Sequence, residues 1–331
     1  MKFKHVIGLD IAKSSIEVRI HAHAFAYTAV NNPQGLKTML THVEKALRVS
    51  LTQCLCCFEH TGLYSERLME LLSQRQIPFA VVSGLEIKKS RGLTRGKSDP
   101  IDARQIAEYA YSKQHRLRLY RNPSPDIKRV KRLLTLREQL VKQRASFKTT
   151  LKEQSQILKK TENATLLAVQ KRMINKLSNE IDHVEQEYRR IIVSDPETKT
   201  LVSLLASVIG VGEVISNYMV VYTHGFTAFT CWRKFACFIG TAPFPHRSGT
   251  SIKGRDKVSS LAHKRLKTLI HLAAQCAVRC DPELRTYYQK RLQQGKSKMS
   301  TLNIVRNKLL ARMFSVVQRR TPYVVLNRFA A

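Results

Sequence analysis

The chain has 331 residues, 43% of them hydrophobic, enough for two domains and a connector with packed cores, which excludes wholesale disorder. Its 57 Lys and Arg stand against 24 Asp and Glu, a net charge of +33. A surplus that large repels itself in the compact state and attracts polyanions, nucleic acid first, because each neutralised phosphate releases a counterion.

Residues 1–112 alternate strand and helix patterns. The run 5–10 is a short β-rich segment ending in Gly8-Leu9-Asp10. Ile16, Val18 and Ile20 alternate with Glu17, Arg19 and His21, the period of a half-buried strand. A third strand is expected over 25–30. Asn32-Pro33 opens a helix to about Leu47, with Leu36, Met39, Leu40 and Val43 on one face. A buried strand over 54–58, a helix over 62–73, a strand over 79–82 and a helix over 100–111 complete the order βββ-α-β-α-β-α. That is the order of the ribonuclease H-like fold.

Pro123-Ser124-Pro125-Asp126 is punctuation, with Asp126 a candidate helix cap. The next 70 or so residues lack Gly and Pro, and Ile174, Leu177, Ile181, Val184, Tyr188 and Ile191 form a heptad seam. Two antiparallel helices breaking near 161–164 fit this, as a stalk or dimer seam whose basic faces either lie along phosphates or are simply solvated. From residue 198 the chain is helical again. Ile209-Gly210-Val211-Gly212-Glu213 between apolar helices has the pattern of a helix-hairpin-helix, whose glycines admit a phosphate to the backbone. A plain packing corner fits it too. Helices are expected over 229–239, 259–279, 282–295 and 300–319.

No amphipathic anchor, lipidation signal or continuous apolar span points to a membrane. The most apolar stretch, 201–222, is broken by Ser203, Ser207, Gly210, Gly212, Glu213 and Asn217. Residues 1–5 lack the apolar core of a signal peptide. The seven cysteines form no framework, and Cys54, Cys56 and Cys57 read as buried strand residues rather than a redox or zinc pair. A reduced protein of the cytoplasm is expected.

Four acids stand out by position. Asp10 ends the first strand, Glu59 follows the strand over 54–58, and Asp99 and Asp102 begin a helix three residues apart, hence on one face. Carboxylates converging at one sheet edge suit hard divalent cations such as Mg²⁺, and two such ions can clamp both oxygens of a phosphoryl transfer. Each acid also has a structural use. Asp99 before Pro100 makes a good helix start, Glu59 could cap the next helix, and Asp10 could sit in a turn. Lys88, Lys89, Arg91, Arg95 and Lys97 precede the second acid pair and either guide a nucleic-acid backbone or form a solvated loop.

Gly8-Leu9-Asp10-Ile11-Ala12-Lys13, Glu59-His60-Thr61-Gly62 and Lys97-Ser98-Asp99-Pro100-Ile101-Asp102-Ala103 resemble the DEDD transposases of bacterial insertion sequences. The resemblance continues through Ile209-Gly210-Val211-Gly212, Phe238-Ile239-Gly240-Thr241-Ala242-Pro243 and Arg247-Ser248-Gly249, and so covers nearly the whole chain. Two departures are His60, where the family commonly has Ala, and Ile209, where it has Pro; neither removes a candidate ligand or the serine.

The resemblance implies an α/β plus all-α chain. A RuvC-like catalytic domain would span 1–122, a coiled-coil connector 123–197, and a mainly helical transposase domain with a helix-hairpin-helix 198–331. It implies that Asp10, Glu59, Asp99 and Asp102 hold two Mg²⁺ ions and that Ser248 is a nucleophile linking covalently to DNA. It further implies an element-encoded guide RNA and a homo-oligomer, dimer or tetramer, with one subunit's serine beside another's carboxylates. Lys97, Arg95, Gly210, Gly212, Arg247, Lys253 and Arg255 are then candidate nucleic-acid contacts, and the protein would be nucleoid-associated. On the residues alone, Ser248 is a loop serine beside basic groups, Ser259 and Ser260 look like helix caps, and His246 has no evident partner. A RuvC-like nuclease of the junction-resolvase type, without a covalent step, and a non-catalytic nucleic-acid-binding protein are the alternatives.

Overall fold

The computed structural model describes residues 3–90, 99–248 and 252–325, with residues 246–248, 252, 253 and 255 described by backbone alone. The chain divides into two compact units, 1–122 and 123–331.

The first unit is built on a five-stranded sheet. β1 (His5–Ile11), β2 (Ser15–Ile20) and β3 (Ala26–Val30) form an antiparallel meander, while β4 (Cys54–Glu59) and β5 (Phe79–Val82) run parallel to β1. The strand order is β3-β2-β1-β4-β5, as expected of a ribonuclease H-like sheet. Parallel neighbours need helical crossovers, and these cover both faces of the sheet.

On one face, α1 (Pro33–Leu47) and α2 (Leu63–Gln74) bury Leu36, Met39, Leu40, Leu68 and Leu72 against Ile7, Leu9, Cys56 and Phe58. On the other, α3 (Gly84–Ser90) and α4 (Asp99–Lys113) bury Ile87, Ile106 and Ala110 against Val6, Leu55, Cys57 and Ala80. The strand cysteines are buried on these two faces, and burial pushes the Cys57 thiol up to about 12. They are packing residues. The helix α3 is absent from the sequence reading; its seven residues are too short for a periodic signal, and Lys88 and Lys89 lie in its last turn rather than in a loop.

The second unit opens with an antiparallel helix pair, α5 (Pro125–Ile157) and α6 (Ala164–Ser194). Contacts across it run in opposite senses along the two helices: Arg137 Nε to Glu185 at 2.6 Å, Arg144 to Ser178 at 3.2 Å, Gln154 to Gln170 at 2.7 Å. Ser124, not Asp126, caps α5, its hydroxyl accepting from the Ile127 N–H. Leu177, Ile181, Val184, Tyr188 and Ile191 of the heptad seam are all buried.

Among the described residues, six further helices follow: α7 (Pro196–Ala206), α8 (Glu213–Thr223), α9 (Trp232–Ile239), α10 (Lys264–Cys280), α11 (Pro282–Gln293) and α12 (Lys298–Arg319). They share one core with the base of the helix pair. Val130, Leu134, Val184 and Tyr188 join Leu205, Tyr218, Phe235, Ile270, Leu309 and Met313, and the Tyr218 hydroxyl donates to the buried Leu134 carbonyl at 3.3 Å.

Between α9 and α10 the chain forms a two-stranded antiparallel ribbon, β6 (Pro243–Ser248) and β7 (Ile252–Val258). Sequence alone gave a loop here, because Pro243, Pro245 and the glycines mask a strand pattern. Helix α10 starts later than expected: His263, not Ser259 or Ser260, caps it by accepting from the Leu266 N–H, and Ser259 closes a tight turn with Leu261. Among the described residues, no helix is long and apolar enough to cross a membrane.

Candidate active site

Strand alternation decides where the acids point. Ile7, Leu9 and Ile11 pack under α1 and α2, so Gly8 and Asp10 face the other way, toward α4. Gly8 lets α4 come down onto the sheet: a Cβ there would lie 2.2 Å from the Ala103 carbonyl oxygen and 2.5 Å from the Ala107 nitrogen. With α4 docked at this point, its buried stripe Ala103, Ile106, Ala107 and Ala110 continues one turn toward its N-terminus as Asp99 and Asp102. The acid pair therefore overhangs the end of β1 that carries Asp10.

Glu59 arrives from the neighbouring strand. Leu9 pairs with Phe58 in the parallel β1–β4 register, so Asp10 and Glu59 are the next residues on adjacent strands, at the same sheet end. The Glu59 carboxylate rests on Gly84 at the start of α3: a Cβ there would sit 2.1 Å from Oε1 and 2.3 Å from Oε2. Asn31 pins the turn after Asp10, its amide donating to the carbonyls of Ala12 (2.9 Å) and Tyr64 (3.1 Å). His60, the departure from the family pattern, accepts from the Gly62 N–H at 3.1 Å and stabilises the turn into α2.

The electrostatics of Asp10 report the convergence. Its carboxyl is held above the ordinary carboxylate range, first by burial and then by the negative charges of Asp102, Asp99 and Glu59. Four hard oxygen donors in mutual repulsion are the chemistry of a divalent-cation site. The donor set fits, although among the described residues no three of these side chains are drawn into a closed coordination group. Like charges hold themselves apart until a cation offsets them.

Arg95 and Lys97 are outside the described residues. Ser248 ends β6 and pairs by backbone with Ile252, and Arg247 pairs with Lys253, so the ribbon brings the basic residues opposite one another beside the serine. The ribbon is anchored at its start: Asn303 and Asn307 of α12 donate to the Thr241 carbonyl at 2.9 and 3.0 Å, and the Thr241 hydroxyl bonds Asn307 at 3.1 Å.

Gly210 has a positive φ of 90°, and a Cβ there would meet Ala277 at 2.7 Å, so it is required by packing against α10. Gly212, the N-cap of α8, is exposed with open space around it.

Gly8 and Gly84 position the site and were not singled out as functional from sequence. The signal for Gly8 is a glycine in mid-strand, where close backbone approach is the usual reason, whereas Gly84, at the start of α3, carries no such signal.

Comparison with known proteins now bears on both units. The model for DEDD transposases of the IS110 type matches residues 7–160, and the one described as the transposase IS116/IS110/IS902 family matches 202–289. The pilin gene-inverting proteins of Moraxella bovis and Moraxella lacunata are each 24% identical over 326 residues, 97% of this chain and 98% of theirs. An insertion element IS110 protein of 43.6 kDa from Streptomyces coelicolor is 28% identical over 127 residues, 38% of this chain and 31% of its own. T. thermophilus RuvC in complex with a Holliday junction substrate aligns with 35% of this chain and 99% of its own at 10% identity and a TM-score of 0.27; the strand order, not this alignment, carries the fold assignment. With family matches in both of its units, the chain belongs to the IS110 family of DEDD transposases, enzymes of DNA recombination.

Proposed function

We propose that this transposase cleaves and rejoins DNA through a covalent serine–phosphate intermediate, with two Mg²⁺ ions held by Asp10, Glu59, Asp99 and Asp102. The observation that carries the reading is the β1–β4 register that brings Asp10 and Glu59 to one sheet end, with the helix of Asp99 and Asp102 docked beside it through Gly8, in a +33 chain. Acids gathered at one sheet end from three elements repel one another, and a bound cation would offset that repulsion and draw them together. Two divalent ions would neutralise charge on the phosphate and on the attacking and leaving oxygens.

The chain's own residues supply the rest. Ser248 Oγ attacks phosphorus and loses its proton; the bond to the departing strand breaks, and that strand's oxygen takes up a proton. One phosphodiester is exchanged for a phosphoserine ester, so bond energy is kept for rejoining. Arg247, Lys253 and Arg255 on the ribbon, with the open Gly212 at a helix-hairpin-helix turn that Gly210 shapes by packing on α10, and Arg95 and Lys97 before α4, contact the nucleic-acid backbone. The His246 side chain is assigned no role.

The division into a catalytic domain over 1–122, a coiled-coil connector over 123–197 and a serine-bearing domain over 198–331 belongs to this reading. So do a homo-oligomer in which one subunit's serine meets another's carboxylates, guidance by an element-encoded RNA, and a place at the bacterial nucleoid. They are supported by the family resemblance and by the cationic surplus. Inversion of a DNA segment, as the Moraxella relatives' name describes, is the same cut-and-rejoin chemistry applied within one molecule.

The test is amplification across the junction of excised circular DNA in cells carrying the gene with its native flanks. A junction product from wild type that vanishes with Ser248→Ala at matched protein level is expected. A product from both would discard the serine, and a hydrolytic nuclease would yield cut ends with no junction.

A further inference from the structure

Beyond the carboxylates, the first unit holds an open cavity of about 510 Å³ on the outer side of its edge strand β5. It starts at the catalytic end of the sheet: Val82, which lines it, is the register partner of Glu59, and Ser83 precedes the Gly84 that touches Glu59. It ends where the chain leaves α4, among Lys113, Arg116 and Arg118. The Tyr120 N–H donates to the Phe79 carbonyl at 2.8 Å, holding this exit segment beside β5.

The walls are of two kinds. Val81, Val82, Leu117 and the half-buried Tyr109 supply apolar and aromatic surface, while the three cations supply charge. Among the described residues, no carboxylate pairs with Lys113, Arg116 or Arg118. The acid in the lining, Glu86, is engaged instead by the Tyr109 hydroxyl, which donates to Oε2 at 3.1 Å. A cluster of unpaired cations beside an apolar slot is the chemistry that takes an anion carrying a flat apolar group. A duplex, about 20 Å across in outline from its two grooves and backbones, is too wide for such a slot, whereas a cavity of a few hundred Å³ suits one base and its phosphate.

We propose that this cavity binds an unpaired nucleotide of the strand being processed, its base against Tyr109, Val82 and Leu117 and its phosphate on Lys113, Arg116 and Arg118. The nucleotide would lie beside Glu59, next to the carboxylates proposed to act on the strand. The inference rests on the recombinase reading for the nature of the ligand but needs neither the metal ions nor Ser248.

The test is photocrosslinking of the full-length protein to oligonucleotides bearing 5-iodouracil, in chelator, with crosslinked peptides mapped by mass spectrometry. Single-stranded DNA, single-stranded RNA of the same sequence and the DNA duplex are compared. A crosslink on the Tyr109 peptide from single-stranded DNA but not from the duplex is expected; a crosslink from the RNA alone would give the cavity to a different strand and overturn the proposal. The crosslink should fall about tenfold in Arg116→Ala/Arg118→Ala, the loss of two solvent-exposed charge contacts. It should persist in Arg67→Ala/Arg75→Ala, which removes equal charge from α2 and its C-cap on the opposite face of the sheet. Crosslinks confined to other peptides, equal crosslinking by the duplex, or full yield from Arg116→Ala/Arg118→Ala would each overturn the proposal. Because no cleavage is involved, its failure leaves the circle-junction test untouched, and failure of that test leaves the crosslink standing.

Discussion

Gly84 and Glu59 are in direct contact: a Cβ on Gly84 would lie 2.1 Å from the Glu59 carboxylate. The atoms it would strike are the far end of a flexible side chain, which can swing away at little cost to folding. Displacement of a carboxylate by about an ångström is costly for chemistry, on the order of 10²-fold. Gly84→Ala should therefore melt close to wild type while losing strand transfer by about that factor. Adding Glu59→Asp withdraws the carboxylate by one methylene and should recover part of the loss. A Gly84→Ala protein of full activity would show that Glu59 works from another position.

At Gly8 the same kind of contact is to backbone, and the expectation reverses. Neither the Ala103 carbonyl nor the Ala107 nitrogen can move without shifting α4. Gly8→Ala should cost about 1–3 kcal/mol in overpacking. Thermal melting of the first unit's transition measures it directly, and an unchanged midpoint would contradict the close approach of β1 and α4.

The raised pKa of Asp10 sets a pH dependence. The folded state keeps the Asp10 proton to a higher pH than the unfolded chain does, so this group's contribution is full below its ordinary value near 3.8. It is lost as pH rises through the folded value. At neutral pH, without cations, the ionised Asp10 opposes folding. Asp10→Asn should raise the melting temperature of the metal-free protein at pH 7, with the gain shrinking toward pH 4. It should also weaken the stabilisation that wild type gains from added Mg²⁺. A wild type that melts higher than Asp10→Asn in chelator at pH 7 would refute the clustered-charge picture.

Much of this was readable in advance. The order of strands and helices along the chain, the crossover helices and the sheet end shared by Asp10 and Glu59 follow from periodicity and from the position of each acid at the end of its run. What could not be read was tertiary. Nothing local distinguishes Gly84 from an ordinary turn glycine, because its reason is a side chain from another strand. The ribbon around Ser248 was missed because two prolines and a run of polar residues carry no period-2 signal. The cavity beside β5 depends on where the chain passes after α4, a path that no periodicity encodes.

Thr241 ties the second unit's core to the serine ribbon. Its carbonyl accepts from both Asn303 and Asn307, and its side chain is fully buried. Asn303→Ala/Asn307→Ala leaves that carbonyl without side-chain donors, which should destabilise the second unit by about 1–3 kcal/mol. Strand transfer should fall further than stability does, while Mg²⁺ binding to the carboxylates should be unchanged. Loss of Mg²⁺ binding in this variant, measured calorimetrically on folded protein, would contradict the separate roles assigned to the two units.

The most direct measurement is to denature a reaction of full-length protein with its DNA ends and search by mass spectrometry for a nucleotide attached to the protein. A nucleotide on Ser248, present with Mg²⁺ and absent in chelator and in Asp102→Ala, is the expected result. Cleaved DNA with free ends and no protein adduct, or an adduct that survives in folded Asp102→Ala, would contradict it.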